Sequence, residues 1–300
     1  MSSALAERVQ TGFYDSMVAQ AKAMGESCLA FADYKTHFFP ESDWGSATRY
    51  VTAQKKVFHA NIFGEICGKE DGTHISAKGN HFVGNAENPN YITDTTRVKD
   101  TIVLRAPTDS PPELLRIFDN QLGTLNEVRR SDIEKESDDF RQYIVKEWIK
   151  STSPGEMGSL ICVTCPPRYA VSCFRSTRRG YGWLMEFLGR GRYFDLVSIW
   201  TCRKARFGWN DEVRLGAYYD PAVLPDYRGN LFKHRRAKLL QHDVRDEEGN
   251  LIPPWEIYSA LRPGTIVLIM VTLHCYVMGG DNMRKRKVRD ISLKSAFPLY

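Results

Sequence analysis

Cations and flat rings alternate through the middle of the chain. They fall in "RSTRRGYGW" (Arg175, Arg178, Arg179, Tyr181, Trp183), "GRGRYF" (Arg190, Arg192, Tyr193), "CRKARFGW" (Arg203, Lys204, Arg206, Trp209) and "KHRRAK" (with Arg235 and Arg236). Guanidinium groups grip phosphates through two parallel hydrogen bonds, and aromatic rings give unpaired bases a surface on which to stack. A groove for single-stranded DNA or RNA needs both, and each stack is worth roughly 1–3 kcal/mol. On that basis Arg178→Ala with Arg179→Ala should weaken every sequence alike, whereas Trp183→Ala should hurt single strands most. The plainer reading is a set of strands with solvated Arg on one face and core aromatics on the other. A second basic run, "MRKRK" (Arg284, Lys285, Arg286, Lys287), sits where a hairpin tip is expected and suits phosphate contact or nuclear import.

Other candidate chemistry reads more plainly. Cys162 and Cys165 form a CxxC, a spacing that lets two thiolates converge on a metal or a redox centre. Here the pair lies inside an apolar β run, where alternate residues point to opposite faces, so the expectation is structural and no metal site is assigned. The seven histidines show neither HxxxH nor HExxH spacing. His274, near the end of a strand, reads as a residue at the edge of the core. "FLGRGRYF" lacks the third glycine of a dinucleotide fingerprint because Phe194 takes its place, and neither a phosphate loop nor a GxSxG elbow occurs. Asp138 and Asp139 serve as helix-start charges. No cofactor is implied, and enzyme status stays open, leaning towards a non-enzyme.

The totals fit a chain that folds: 300 residues, 42% hydrophobic and 26% charged, with a net charge of +5. The charge is uneven. Ser159–Leu240 carries 15 Lys and Arg against 6 Asp and Glu, a balance of +9, whereas Met1–Gly158 holds 18 against 23. An odd number of scattered cysteines, no Asn-x-Ser/Thr sequon and no signal-like start point to nucleus or cytoplasm rather than secretion. The apolar run Thr265–Met278 is shorter than the roughly 20 residues a spanning helix requires, so no membrane segment is expected.

The elements that would position these residues begin with a helix carrying Leu5, Val9, Phe13 and Met17 at steps of four and ending at Gly25. Short β runs and turns follow to Ala106, "TIVLRAP" being the clearest strand. In "SPPELLRIFDNQLG", Ser110 is a candidate cap, Pro111 the first helical residue and Glu113 the partner in a capping box, with Gly123 as the stop. A second helix is expected from Ser137 to Lys150, burying Phe140, Tyr143, Ile144 and Trp148. "STSPGEMG" reads as a linker. Beyond it "SLICVTC", "YAVSCF", "RYFDLVSIWTC", "EVRLGAYY" and "TIVLIMVTLHCYVM" read as strands, the last a central one whose far end emerges from cover.

The order of "PPWEIYSAL", "RPG", "TIVLIMVTLHCYVM", "GGDNMRKRK" and "KVRDISLKSAF" resembles the last third of an OB-fold barrel, as found in replication proteins that bind single-stranded nucleic acid. In that family a short helix plugs the barrel between the third and fourth strands, and the last two strands and their loop flank the groove. The resemblance covers about fifty residues. It implies that Arg284, Lys285, Arg286 and Lys287 lie in the groove-flanking loop, with His274 and Tyr276 near the groove end of the strand. The helices at Pro111–Leu122 and Ser137–Lys150 are additions to a minimal barrel, and Leu29–Ala106 shows no five clean strands of its own.

The reading is therefore an α+β protein, mainly antiparallel β. An N-terminal mixed helix and strand portion spans residues 1–152 and a basic, OB-like β portion spans residues 159–300. Its expected function is single-stranded nucleic-acid binding, with affinity falling steeply as salt rises. Two alternatives stay open. One is a self-associating structural or adaptor protein, a homo-oligomer with an Arg and aromatic interface; a sizing column run with and without oligonucleotide separates it from the first. The other is an enzyme with a dispersed His/Cys site, which stoichiometric zinc in the purified chain would favour.

Overall fold

A computed structural model describes residues 8–42, 47–134, 146–151, 159–171, 213–278 and 286–298. The elements in chain order are α1 (Phe13–Met24), β1 (Phe39–Ser42), β2 (Ala47–Val51), β3 (Ala60–Ile66), β4 (Lys99–Arg105), α2 (Pro112–Glu134), β5 (Ile149–Ser151) and β6 (Ser159–Pro167). After these come β7 (Tyr169–Val171), β8 (Tyr218–Tyr219), β9 (Ala237–Leu240), β10 (Asp243–Val244), α3 (Ile257–Ala260), β11 (Ile266–Met278) and β12 (Arg286–Pro298). The fold is mixed α+β and mostly strands. Among the described residues no helix is long and apolar enough to cross a membrane.

Strand β11 is the spine of the larger sheet. Its Val267, Ile269, Val271, Leu273 and Cys275 are buried as the alternation predicts, but the other face does not open steadily towards the far end: Leu268 and Met270 are half-buried, Thr272 is buried, and His274 and Tyr276 are half-buried. It pairs antiparallel with β3 over Ile266–Val271, with β2 over His274–Tyr276 and with β12 along nearly its whole length. From β3 the pairing passes to β4, from β4 to β6, from β6 in parallel to β12, and from β12 back to β11. The five strands thus form a closed circuit of pairings, with β1 and β2 continuing from β11. Strands from both sides of residues 152–158 share this one sheet. A second, three-stranded sheet runs β7-β9-β8 over its own core of Ile92, Val98, Tyr169, Leu224 and Leu239.

Helix α2 buries Leu114, Ile117, Phe118, Leu125 and Val128 in the main core, with Phe118 edge-on to Phe63 of β3 at 6.3 Å. Strand β3 meets β4 only at Glu65 and Ile66; at Phe63 the buried Gln121 amide takes over, accepting from the Phe63 N–H at 2.9 Å and donating to its carbonyl at 3.1 Å. Gly64 makes this approach possible, because a Cβ there would stand 2.9 Å from the Leu104 Cβ and 3.2 Å from the Phe118 ring.

Several helix expectations need correction. The first helix does not carry its stripe through Val9, which is 54% exposed; the chain turns at Thr11–Gly12, and α1 instead buries Tyr14, Met17, Val18 and Ala21 before ending at Gly25 as expected. Helix α2 runs straight through Gly123. Glycine costs about 1 kcal/mol in a helix interior, less than the apolar residues beyond it gain by burial. Ser110 does not cap, since its buried Oγ makes no hydrogen bond, and Glu113 reaches Lys22 Nζ at 2.6 Å instead of closing a capping box. The helix expected at Ser137–Lys150 does not reach its proposed end. Ile149–Ser151 is strand β5 on β6, and the Trp148 carbonyl accepts from the Cys162 N–H at 2.8 Å, so sheet pairing overrides the helical stripe there. Trp148 is buried as expected, and residues 135–145 lie outside the described residues. Among the described residues of "EVRLGAYY" (213–219) only Tyr218–Tyr219 is strand.

Candidate nucleic-acid interface

Most of the cation and ring motifs fall in residues 172–212 and 279–285. Arg175, Arg178, Arg179, Tyr181, Trp183, Arg190, Arg192, Tyr193, Arg203, Lys204, Arg206, Trp209, Arg284 and Lys285 therefore lie outside the described residues, as does the expected strand "RYFDLVSIWTC". Arg286 opens β12 opposite Met278, and Lys287 beside it is half-buried opposite Val277. Arg235 and Arg236 are described, and both are exposed.

The segment that carries these two arginines is held by the long loop between β3 and β4. Ile92 and Phe232 form a parallel bridge, in which the Ile92 N–H donates to the Leu231 carbonyl at 3.0 Å and the Lys233 N–H donates to the Ile92 carbonyl at 2.7 Å. Two residues on, the Asp94 carboxylate accepts from three successive backbone N–H groups: Arg235 at 3.0 Å, Arg236 at 3.1 Å and Ala237 at 2.9 Å, all to Oδ1, with Arg236 also 3.2 Å from Oδ2. Burial alone would raise this carboxyl, but the donated hydrogen bonds of Ala237, Arg236 and Arg235 outweigh it and hold Asp94 below its ordinary value.

Between the two segments lies an open groove of about 680 Å³, lined by Thr93, Asp94, Thr95, Phe232, Lys233, His234 and Arg235. Aromatic rings back its floor: His234 lies parallel to Tyr227 with ring centres 5.9 Å apart, packs 4.5 Å from Tyr169, and Tyr227 sits 4.3 Å from Phe232. Burial lowers the His234 imidazole below its ordinary value, opposed by the Asp94 carboxylate, so the groove's fixed positive charge comes from Lys233 and Arg235.

Two exposed rings stand on the same loop, in a stretch that the sequence pattern marks only as short β runs and turns. Tyr91 is 43% exposed, with Lys233 Nζ 5.3 Å from its ring centre. Phe82 is 77% exposed, a cost in water for so large an apolar ring. It sits on a loop tied to itself: the Asn90 N–H donates to the Val83 carbonyl at 2.8 Å, the Asn90 side chain donates to the Phe82 carbonyl at 3.0 Å, and the Asn88 N–H donates to Asn85 Oδ1 at 2.7 Å. Gly84, at φ +75°, closes this turn, and a Cβ there would collide with the Asn88 carbonyl. The loop thus presents Phe82 on an ordered backbone.

No protein-family model matches the chain, and no curated protein matches it. Among solved structures it is similar to gp2.5, a single-stranded DNA-binding protein encoded by bacteriophage T7, at 12% identity and a TM-score of 0.33, over 80% of this chain and 90% of that one. A TM-score of that size does not establish a shared fold.

The remaining candidates resolve as packing. Cys162 lies against Cys67, Val103 and Leu160, whereas Cys165 belongs to the main core, so the CxxC thiols sit in different clusters. Burial raises both thiols, Cys162 against the pull of Lys150. His274 Nε2 stands 2.9 Å from Thr272 Oγ1. Among the described residues no group of three or more His, Cys, Asp or Glu converges as a metal site would.

Proposed function

We propose that this chain binds single-stranded nucleic acid, and that the groove between Thr93–Thr95 and Phe232–Arg235 is part of the path of the strand. The observation that carries this reading is the juxtaposition of Lys233 and Arg235 at the groove with the exposed Tyr91 ring, 5.3 Å from Lys233 Nζ, on the loop that also bears the exposed Phe82. Cations there meet phosphates, and rings on an ordered loop meet splayed bases. A duplex keeps its bases stacked on one another and gains little from such rings.

The circuit of β3, β4, β6, β11 and β12 is read as an OB-like barrel. It has five strands, α3 lies between the third and fourth of them, and the fifth closes against both the fourth and the third. In OB folds the loop after the first strand and the loop joining the last two bind oligonucleotides. Here the first of these is the loop that bears Phe82, Tyr91 and Asp94, and of the basic run Arg286 and Lys287 open β12, at the start of the last strand.

Variants separate the two kinds of contact. Lys233→Ala with Arg235→Ala should weaken single-stranded and duplex probes alike and reduce the salt slope by about 2, one for each phosphate contact. Phe82→Ala with Tyr91→Ala should leave the salt slope intact and cost single strands about 1–3 kcal/mol per lost stack. Fluorescence anisotropy over a salt series reads both, and unchanged single-strand affinity in both double variants would count against this groove.

A further inference from the structure

The cations of the groove stand on a backbone that is held from across the chain. Resting on the single-strand reading above, we propose that Asp94 is a positioning residue of this interface. Its carboxylate, seated on the N–H groups of Arg235, Arg236 and Ala237, fastens the basic segment to the loop after β3 and sets where Arg235 and Arg236 project.

Three successive N–H groups converging on one acceptor make an anion nest, the kind of backbone cradle that elsewhere takes a phosphate. Here the chain fills it from within. The acceptor comes from a residue 141 to 143 positions earlier in the sequence, so the nest is a tertiary fastening and not a local turn. Phosphates of a bound strand are then met by the exposed side chains of Lys233, Arg235 and Arg236 and not by the backbone. Asp94 also places a negative charge on the wall of a groove meant for an anion. Charge alone makes its removal favourable to binding, whereas geometry makes it unfavourable, so the two roles predict opposite signs.

Three variants read that sign. Asp94→Asn keeps Oδ1, which takes three of the four contacts, and loses the charge. Asp94→Ala loses both. Asp94→Glu keeps the charge but moves the carboxylate out by one methylene. With a labelled oligothymidine probe, Asp94→Ala and Asp94→Glu should each bind about tenfold more weakly, the scale of a hydrogen-bonded charged group lost, while Asp94→Asn binds at least as well as the parent. Amide hydrogen exchange at residues 235–237, measured without nucleic acid, should accelerate in Asp94→Ala and Asp94→Glu and change little in Asp94→Asn. Equal or tighter binding by Asp94→Ala, or unaltered exchange in it, overturns the positioning role. If Asp94→Ala does not fold, Asp94→Glu decides by the same two readings. A parent chain that ignores the probe while exchange responds as described overturns the nucleic-acid reading and leaves Asp94 as the fastening of these two loops.

Discussion

Replacing Arg168 by methionine should destabilise the protein by about 3–5 kcal/mol, the cost of stranding one member of a buried ion pair. Arg168 is 1% exposed and its Nη2 donates to Asp100, itself 4% exposed. The guanidinium carbon lies 5.4 Å from the Tyr258 ring centre, and the Arg168 backbone bonds to the Val98 carbonyl and the Leu240 N–H, so this residue joins β4, the second sheet and the segment around α3. Tyr258 in turn donates to Asp226 at 2.8 Å, and the Ala77 N–H donates to the same carboxylate. Removing the arginine leaves the Asp100 charge buried with only the Ser76 N–H, at 3.4 Å, to answer it. Arg168→Met combined with Asp100→Leu should recover much of the loss, because a buried pair replaced by apolar groups of similar volume is often close to neutral. Urea unfolding of the two single variants and the double variant measures this, and a double variant as unstable as the sum of the singles would contradict it.

The second large effect is an acid sensitivity centred on His242. This imidazole is 8% exposed and lines a small cavity with Asp100, Cys165, Ile257 and Leu261, and its Nε2 makes no hydrogen bond. Burial, with a lesser push from Arg168, lowers it from 6.5 to about 4. A group depressed in the native state contributes its full stability above the unfolded value and loses it as pH falls. Between pH 6.5 and 4 the unfolded chain takes up a proton that the native chain refuses, and about 3 kcal/mol should disappear across that window. His242→Leu should flatten this part of the stability profile. Urea midpoints at neutral pH and near pH 4.5 test it, and a variant whose midpoint falls as far as the parent's would show that the acid loss lies elsewhere.

What the sequence could disclose was what local pattern controls. Strand β11 was legible because thirteen residues of mostly apolar alternation leave one conformation that buries them. The core of α2 was legible from its stripe, but its end was not, since packing of Leu125 and Val128 carries the helix past a glycine that local propensity marks as a stop. Arg168 counts towards the basic excess of Ser159–Leu240, and Arg289 towards the near-neutral end of the chain. In the fold each is 1% exposed, Arg168 against Asp100 and Arg289 donating to Glu147 at 2.8 Å, so Arg168 is one cation of that excess that lies inside the protein. The fastening of Asp94 to Arg235–Ala237 had no sequence signal at all, because a single Asp in a turn looks the same whether it faces water or a distant nest. Phe82 and Tyr91 carried a faint one: large rings set among Asn, Gly and Pro, where no core is expected to receive them.

The central claim is that the cations and rings at this groove act together on an unpaired strand. It is tested most directly by fluorescence anisotropy of the whole chain with labelled single-stranded and duplex probes of one sequence at two salt concentrations. The account predicts tighter binding to the single strand at both, with affinity falling steeply as salt rises. Equal affinity for the two probes, or binding indifferent to salt, would contradict it.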